Sequence, residues 1–270
     1  MYKYTGVTIG ADPEVFLLDK NGKPVSAEGL IGGSKEQPKP IPEMPRGFSV
    51  QEDNVAAEFN IPPAGDYEEF DQNIFRSLRY LNKVAKKYGH KLAYVDAFHF
   101  DPKYLATPHA QRLGCEPDLN AWTRSYNPAP IPPATLRTAA GHVHIGWHNP
   151  NVDSQFNLGK ACDLFLGVPS ILVTKKSERR SLYGKAGAIR IKEYGVEYRT
   201  LSNWWLESKT TRTTVGKKTF EMINRLNREG DYLLDSIEEN EDAIVKCINN
   251  HDKDLAMRLM DTYNISHYPE

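Results

Sequence analysis

Three cysteines, Cys115, Cys162 and Cys247, are all that the 270 residues contain, odd in number and far apart. That excludes a disulfide framework or a zinc finger and predicts a reducing compartment, the cytoplasm. The N-terminal MYKYTGVTIGADPEV has neither the basic start nor the apolar run of a signal peptide. No stretch approaches the roughly 18 apolar residues of a membrane span, so a soluble chain without a membrane partner is expected. Charge of one sign is missing too: 34 Lys and Arg against 35 Asp and Glu leave a net charge of -1, which gives no electrostatic case for a nucleic-acid partner. The Gly-x-x-x-x-Gly-Lys-Ser/Thr loop is absent, no Gly-x-Gly-x-x-Gly follows a strand, and neither repeat nor low-complexity tract occurs.

Proline and glycine instead cluster at Gly32 to Gly47 and Pro128 to Pro133, which reads as two long ordered loops of the kind that act as lids or binding segments. Asn21-Gly22 between Val15-Phe16-Leu17-Leu18 and Val25 predicts a hairpin. Asp66 with Glu69 forms a capping box ahead of Phe70, Ile74, Leu78, Leu81, Ala85 and Tyr88 at helical spacing. Strands are expected over Lys91 to Phe98, His142 to Trp147, Ile171 to Thr174 and Val196 to Leu201. Helices are expected over Asp153 to Leu166 and most of Val215 to Tyr263.

Polar residues on strands carry the chemical information, because a carboxylate facing a core needs a partner or a cation. Asp12 and Glu14, two apart, leave one face of an extended segment and can converge on a divalent ion; a solvated strand end explains them equally well. Read as one strand, Gln51 to Asn60 puts Glu52, Asn54 and Glu58 on one face with Ala56 between, a floor for a cation or an ordinary solvent face. Gly-His-Val-His-Ile-Gly sets His142 and His144 on one strand face, a familiar metal arrangement. The run from Arg179 to Arg190 brings Arg179, Arg180, Lys185 and Arg190 into a glycine-containing segment that, as a mobile loop, suits phosphates. Glu197-Tyr-Arg199 puts opposite charges on one face, as an ion pair also would. Together these clusters match a site that holds a nucleoside triphosphate through divalent ions.

In their order the clusters resemble the glutamine synthetase and gamma-glutamylcysteine synthetase superfamily of carboxylate-amine ligases. More closely, the runs QEDNVAAEFNIPPA, GCEPD, GHVHIG, RRSLYGKAGAIR and EYRTLSNWW resemble the amidoligases often carried by phages, over roughly residues 7 to 206. The resemblance implies an α+β fold, a glutamine synthetase-like catalytic domain with a curved, largely antiparallel sheet and helices on one face. It implies one domain over residues 1 to 270, mainly helical from about residue 207. Asp12, Glu14, Glu52, Glu58, His142 and Glu197 would hold Mg2+ or Mn2+, with Asp12 standing where the family has a glutamate. His144 would contact ATP, and Arg180, Arg190 and Arg199 would hold phosphates and act with Glu197 in catalysis, beside Arg179 and Lys185. Glu116 and Asp118 of GCEPD align with no family role.

The activity implied is ATP-dependent joining of a carboxylate to an amine through an acyl phosphate, with small-molecule or peptide substrates, in the host cytoplasm if phage-encoded. A phosphotransferase of the same fold, a zinc hydrolase using His142 and His144, and a catalytically dead binding protein stay open beside it, as does a homo-oligomer.

Overall fold

Alternation along the strands explains the architecture. In the computed structural model, which describes residues 2–111, 118–129 and 131–269, thirteen short strands form antiparallel pairs. They are β1 (Thr8–Ala11), β2 (Glu14–Leu18), β3 (Pro24–Val25), β4 (Lys39–Pro40), β5 (Ser49–Asp53), β6 (Ala56–Asn60), β7 (Lys91–Ala93) and β8 (Ala97–His99), followed by β9 (Leu119–Asn120), β10 (Leu136–Thr138), β11 (Val143–Gly146), β12 (Ala188–Lys192) and β13 (Gly195–Tyr198). One sheet runs β1-β11-β13-β12-β9 and another β3-β2-β6-β5-β4, with β7 also on β2; β8 and β10 pair separately. Asp12-Pro13 is the joint between the two larger sheets. Past it, hydrogen bonds from Phe59 N to Pro13 O, Ile61 N to Ala11 O and Ala64 N to Ile9 O continue the ladder from β6 onto β1, giving one curled antiparallel surface.

On one side of that surface Ile9, Val143, Ile145, Val196 and Ile189 are buried in the main core. Helices cover it: α1 (Tyr67–Lys87), α3 (Val152–Cys162), α4 (Val168–Val173), α6 (Lys209–Glu229), α7 (Asp231–Glu239), α8 (Glu241–Asn250) and α9 (Lys253–Tyr263), whereas the short α2 (Pro108–Gln111) puts Ala110 into a second cluster with Phe16 and Phe100, and α5 (Glu178–Leu182) is tied by its arginines to the carbonyls of Arg199 and Thr200. α3 lies close on β12 because Gly159 has no side chain: a Cβ there would come within 2.8 Å of Ile189 Cγ2. α1 is capped by Asp66, whose Oδ1 accepts from Glu69 N at 2.7 Å. Glu69 returns its bond to Gly65 N rather than to the cap residue. A buried ion pair, Arg212 Nε to Asp71 Oδ1 at 2.7 Å, ties α6 to α1.

Three expectations fail for tertiary reasons. Ile171 to Thr174 is not a strand, because it ends a helical stretch running from α3 through a π-helical turn at Asp163–Gly167 into α4. This stretch, Val152–Val173, has the length and apolar composition of a membrane span, but 83% of its most apolar 18-residue window is buried inside the fold, where apolar residues on every side are what a core helix needs. Lys91 to Phe98 is broken into β7 and β8, which pair with different partners. The run Arg179 to Arg190 is no mobile loop: it consists of α5, a turn and β12. The hairpin at Asn21-Gly22 is present, with β2 against β3 and Gly22 at φ +77°.

Candidate active site

The side of the sheet away from the helices carries two rows of ionisable groups. Register builds the first: Gly10 stands opposite His144, His144 opposite Glu197, and Glu197 opposite Arg190. With a period of two along each strand, Asp12, His142, Lys192 and Arg199 join that face. Asp12 Oδ1 lies 3.2 Å from His142 Nδ1 and 2.9 Å from His144 Nε2. Glu197, fully buried, meets His142 Nδ1 at 3.5 Å, Arg190 Nη1 at 3.2 Å and Lys192 Nζ at 2.9 Å, and it pairs with Arg199. Arg199 is pinned by Asp118, whose Oδ1 accepts from Nε at 2.5 Å.

The second row exists because Gln51 to Asn60 is a hairpin and not one strand. Asn54 turns at φ +60°, and β5 folds back on β6 with Gln51 opposite Glu58 and Asp53 opposite Ala56. Glu58 in turn stands opposite Glu14 on β2. Glu14, Asp53 and Glu58 therefore converge, with Gln51 Nε2 donating to Glu58 Oε2 at 3.0 Å and Glu14 Oε2 accepting from Ala140 N at 2.9 Å. Glu52 leaves by the opposite side, where its Oε1 accepts from Ile31 N at 3.1 Å and Gly32 N at 2.6 Å. The expected metal role of Glu52 is not supported by this placement: the carboxylate organises the Gly32 segment, and Asp53 occupies the cluster in its stead.

Electrostatics separates the rows. Burial, with Asp53 beside it, pushes the Glu14 carboxyl up to about 8. Burial and the charges of Asp12, Asp53 and Glu14 hold Glu58 well above the usual range, and burial lifts Asp53 against the pull of Lys35. In the first row burial also opposes charge, but His144 and His142 hold Asp12 well below its usual value. Against burial and Asp12, the Arg199, His142 and His144 charges bring Glu197 down to about 2. Burial and Arg199 depress His142. His144 rises despite burial because Asp12 and Glu197 face it.

The donor sets suit divalent cations. Asp12, His144 and Glu197 present ligand atoms within 4.8 Å of one another, as do Glu14, Asp53 and Glu58. His144 Nε2 is buried and, though 2.9 Å from Asp12 Oδ1, makes no aligned hydrogen bond. Two buried carboxyls and a half-buried third, all shifted upward, and an imidazole nitrogen without an aligned hydrogen bond are what a cation would relieve. Both histidines thus face the same carboxylates, His142 through Nδ1 and His144 through Nε2.

A cavity of about 240 Å3 separates the rows, with the carboxylates as floor and Lys35, Arg190, Lys192 and Arg199 as cationic wall. Beside it, a cavity of about 280 Å3 is bounded by Gly10, Ile61, Pro63, His144, Gly146 and Tyr194. There Tyr194 stacks on His144 at 15° and its hydroxyl lies 2.5 Å from His144 Nδ1.

Arg179 and Arg180 are not brought to this wall. Arg179 donates to the carbonyls of Thr200 and Arg199, and Arg180 to those of Gly184 and Thr200, so both fasten α5 to the end of β13. Lys185 takes part through its backbone carbonyl, which accepts from Thr200 Oγ1 at 2.9 Å. Glu116 lies outside the described residues. The sequence reading missed Lys192, which the alternation from Arg190 points to, and Asp53, hidden by the assumed strand. It also missed Asp163 on the far face, which accepts from Trp122 Nε1 at 2.7 Å, Tyr198 OH at 2.7 Å and Gly187 N at 2.5 Å.

No curated protein matches this chain. Among solved structures, a bifunctional glutathione synthetase from Pasteurella multocida is similar over 96% of this chain at 11% identity and a TM-score of 0.44. The chain spans 49% of that protein's length. GmaS without ligand is similar over 96% of this chain and 68% of its own at 11% identity and a TM-score of 0.42, and its ADP complex over 96% and 70% at the same identity and score. Residues 133–235, which carry His142, His144, Arg190, Glu197 and Arg199, match the family of phage phiEco32-like COOH.NH2 ligase-type 2 proteins, and it is to these carboxylate-amine ligases that the chain is similar.

Proposed function

We propose that the chain is an ATP-dependent carboxylate-amine ligase that activates its carboxylate substrate as an acyl phosphate. The observation that carries this reading is one cavity lined by Asp12, Glu14, Asp53 and Glu58 and by Arg190, Lys192, Arg199 and Lys35, within a fold whose residues 133–235 match a ligase family. Asp12, His144 and Glu197 would hold one divalent ion, with His142 beside them, and Glu14, Asp53 and Glu58 another. Such ions bridge phosphate oxygens and neutralise developing charge. The cationic wall binds the phosphates and stabilises the charge that builds on the transferred phosphoryl group. Tyr194 and the glycines beside His144 leave a flat, largely apolar recess for the nucleotide base.

Buried surroundings serve a second purpose, because water reaching an acyl phosphate hydrolyses it. Expected results are Mg2+-dependent thermal stabilisation by ATP and, with pooled carboxylates, ADP release accompanied by a hydroxamate when hydroxylamine replaces the amine. ADP release with a stable phosphorylated product and no hydroxamate would replace the ligase with a phosphotransferase. Tightly bound zinc without ATP stabilisation would replace it with a hydrolase. The cytoplasm is the compartment proposed, on the buried reduced thiols of Cys162 and Cys247.

A further inference from the structure

Tyr194 is at the tip of the tight turn between β12 and β13, and its backbone is held there without help from its side chain. Lys192 stands opposite Gly195, which leaves Glu193 and Tyr194 as the two turn residues. Gly195 lies at φ +152°, where a Cβ would collide with Ile145 O, so the turn can press directly onto β11. The carbonyl of Tyr194 accepts from Trp147 N at 3.0 Å. From this fixed point the side chain reaches back over the functional face to His144. The two rings are 15° from parallel, and the tyrosine hydroxyl lies 2.5 Å from His144 Nδ1. Among the described residues that hydroxyl makes no other hydrogen bond, so neither the turn nor the core depends on it.

The two nitrogens of His144 have different surroundings. Nε2 faces Asp12 Oδ1 at 2.9 Å without an aligned hydrogen bond and belongs to the trio of ligand atoms from Asp12, His144 and Glu197. A nitrogen that binds a cation must offer its lone pair, and a neutral imidazole then carries its proton on the other nitrogen. At Nδ1 that proton meets the Tyr194 oxygen, which has lone pairs to accept it. Metal-binding imidazoles generally give this proton to a carboxylate, a backbone carbonyl or water, and the acceptor fixes both the tautomer and the angle of the ring. Here the group standing in that place is a phenol.

We propose that Tyr194 is a positioning residue for the first-row cation: by accepting the Nδ1 proton of His144 it directs Nε2 at the ion held with Asp12 and Glu197. The inference rests on the ligase reading, which assigns that ion, and deepens it. The same ring bounds the recess offered to the nucleotide base, so one side chain meets both the base and a metal ligand. A role confined to packing has a different consequence. Tyr194→Phe keeps the ring and the turn and removes only the oxygen, and packing alone would leave metal affinity as it was.

Titration of the full chain with Mn2+ in the absence of nucleotide, with free Mn2+ read by electron paramagnetic resonance, tests this. His144→Ala identifies the class of site to which the imidazole belongs. Tyr194→Phe should weaken that class about 10–100-fold, leave any other class within about twofold and leave the melting temperature in EDTA unchanged. In the His144→Ala background the same substitution should have no further effect. Should Tyr194→Phe fail to fold, nitrogen-15 NMR of the unaltered protein with Cd2+ should show His144 with the metal on Nε2 and the proton on Nδ1, and the opposite arrangement overturns the proposal. If Mn2+ binds but is indifferent to His144→Ala or to Tyr194→Phe, the proposal is overturned and the ligase reading stands. Absence of any Mn2+ binding overturns the metal assignment on which both rest.

Discussion

Glu14 on β2 and Glu58 on β6 stand directly opposite each other in an antiparallel pair, both buried and both on the face that carries the site. Two like charges so placed repel, and each retains its proton unless a cation lies between them.

This fixes the sign of a pH dependence. Burial pushes the Glu14 carboxyl up to about 8 in the folded protein from an ordinary value of 4.5, and Glu58 and Asp53 shift the same way. Between the two values the folded state binds more protons than the unfolded one, so stability contributed here is present at low pH and lost as pH rises. In EDTA the melting temperature should fall from pH 5 to pH 8. Added Mg2+ or Mn2+ should raise it most at pH 8, where the cation need displace fewer protons. A melting temperature flat in pH and indifferent to both ions would refute the assignment of this cluster.

Asp53 and Glu52 are neighbours in sequence with opposite expected behaviour. Asp53→Asn should weaken Mg2+ stabilisation at least tenfold in apparent affinity. Glu52→Ala should leave the metal response intact and lower stability by about 1–2 kcal/mol, the cost of losing the acceptor for two backbone donors. Metal titrations followed by thermal unfolding distinguish the two; the reverse ranking would mean that the hairpin register is different.

Glu197 serves three cations at once. Its replacement by Gln leaves Arg190, Lys192 and Arg199 facing one another around a neutral amide, and breaking such a buried set costs about 3–5 kcal/mol. The variant should lose Mg2+-dependent ATP stabilisation altogether. Denaturant unfolding at pH 7 measures the first effect and a melting series with ATP the second.

Asp163 lies behind the sheet and touches no cavity of the site, yet it should matter to folding. Asp163→Ala strips the acceptor from Trp122 Nε1, Tyr198 OH and Gly187 N, and leaving buried donors unpaired costs about 1–3 kcal/mol each before relaxation. Gly187, at φ +75°, ends the turn that leads into β12, so Arg190 should shift with it. Urea unfolding should show a loss of several kcal/mol, and ATP affinity should fall in the fraction that remains folded. An unchanged urea midpoint would show that the three donors find other acceptors.

Local pattern made much of the fold legible. Asn21-Gly22 encoded its hairpin because a glycine at positive φ is needed there whatever surrounds it. Phe70, Ile74, Leu78, Leu81 and Ala85 encoded α1 because one buried face recurs at the helical period. Ile171 to Thr174 was misleading because β-branched residues suit a buried helix end as well as a strand, and only the packing of Val152–Val173 decides between them. The histidine pair and Glu197 were readable as polar residues on strands, since alternation alone puts i and i+2 on one face.

By itself the sequence determined the residue types available to the chemistry and the faces they share within each strand, because side-chain period is a local property. What only the tertiary structure decided is which strands lie side by side. Opposition of Glu58 to Glu14 and of Glu197 to Arg190 is a matter of register between segments far apart in the chain or folded back through a turn. The same pairing turned Glu52 away, brought Asp53 and Lys192 in, and drew Arg179 and Arg180 onto backbone carbonyls. Local spacing cannot encode these relations, because each depends on where a distant segment places its own hydrogen-bonding edge.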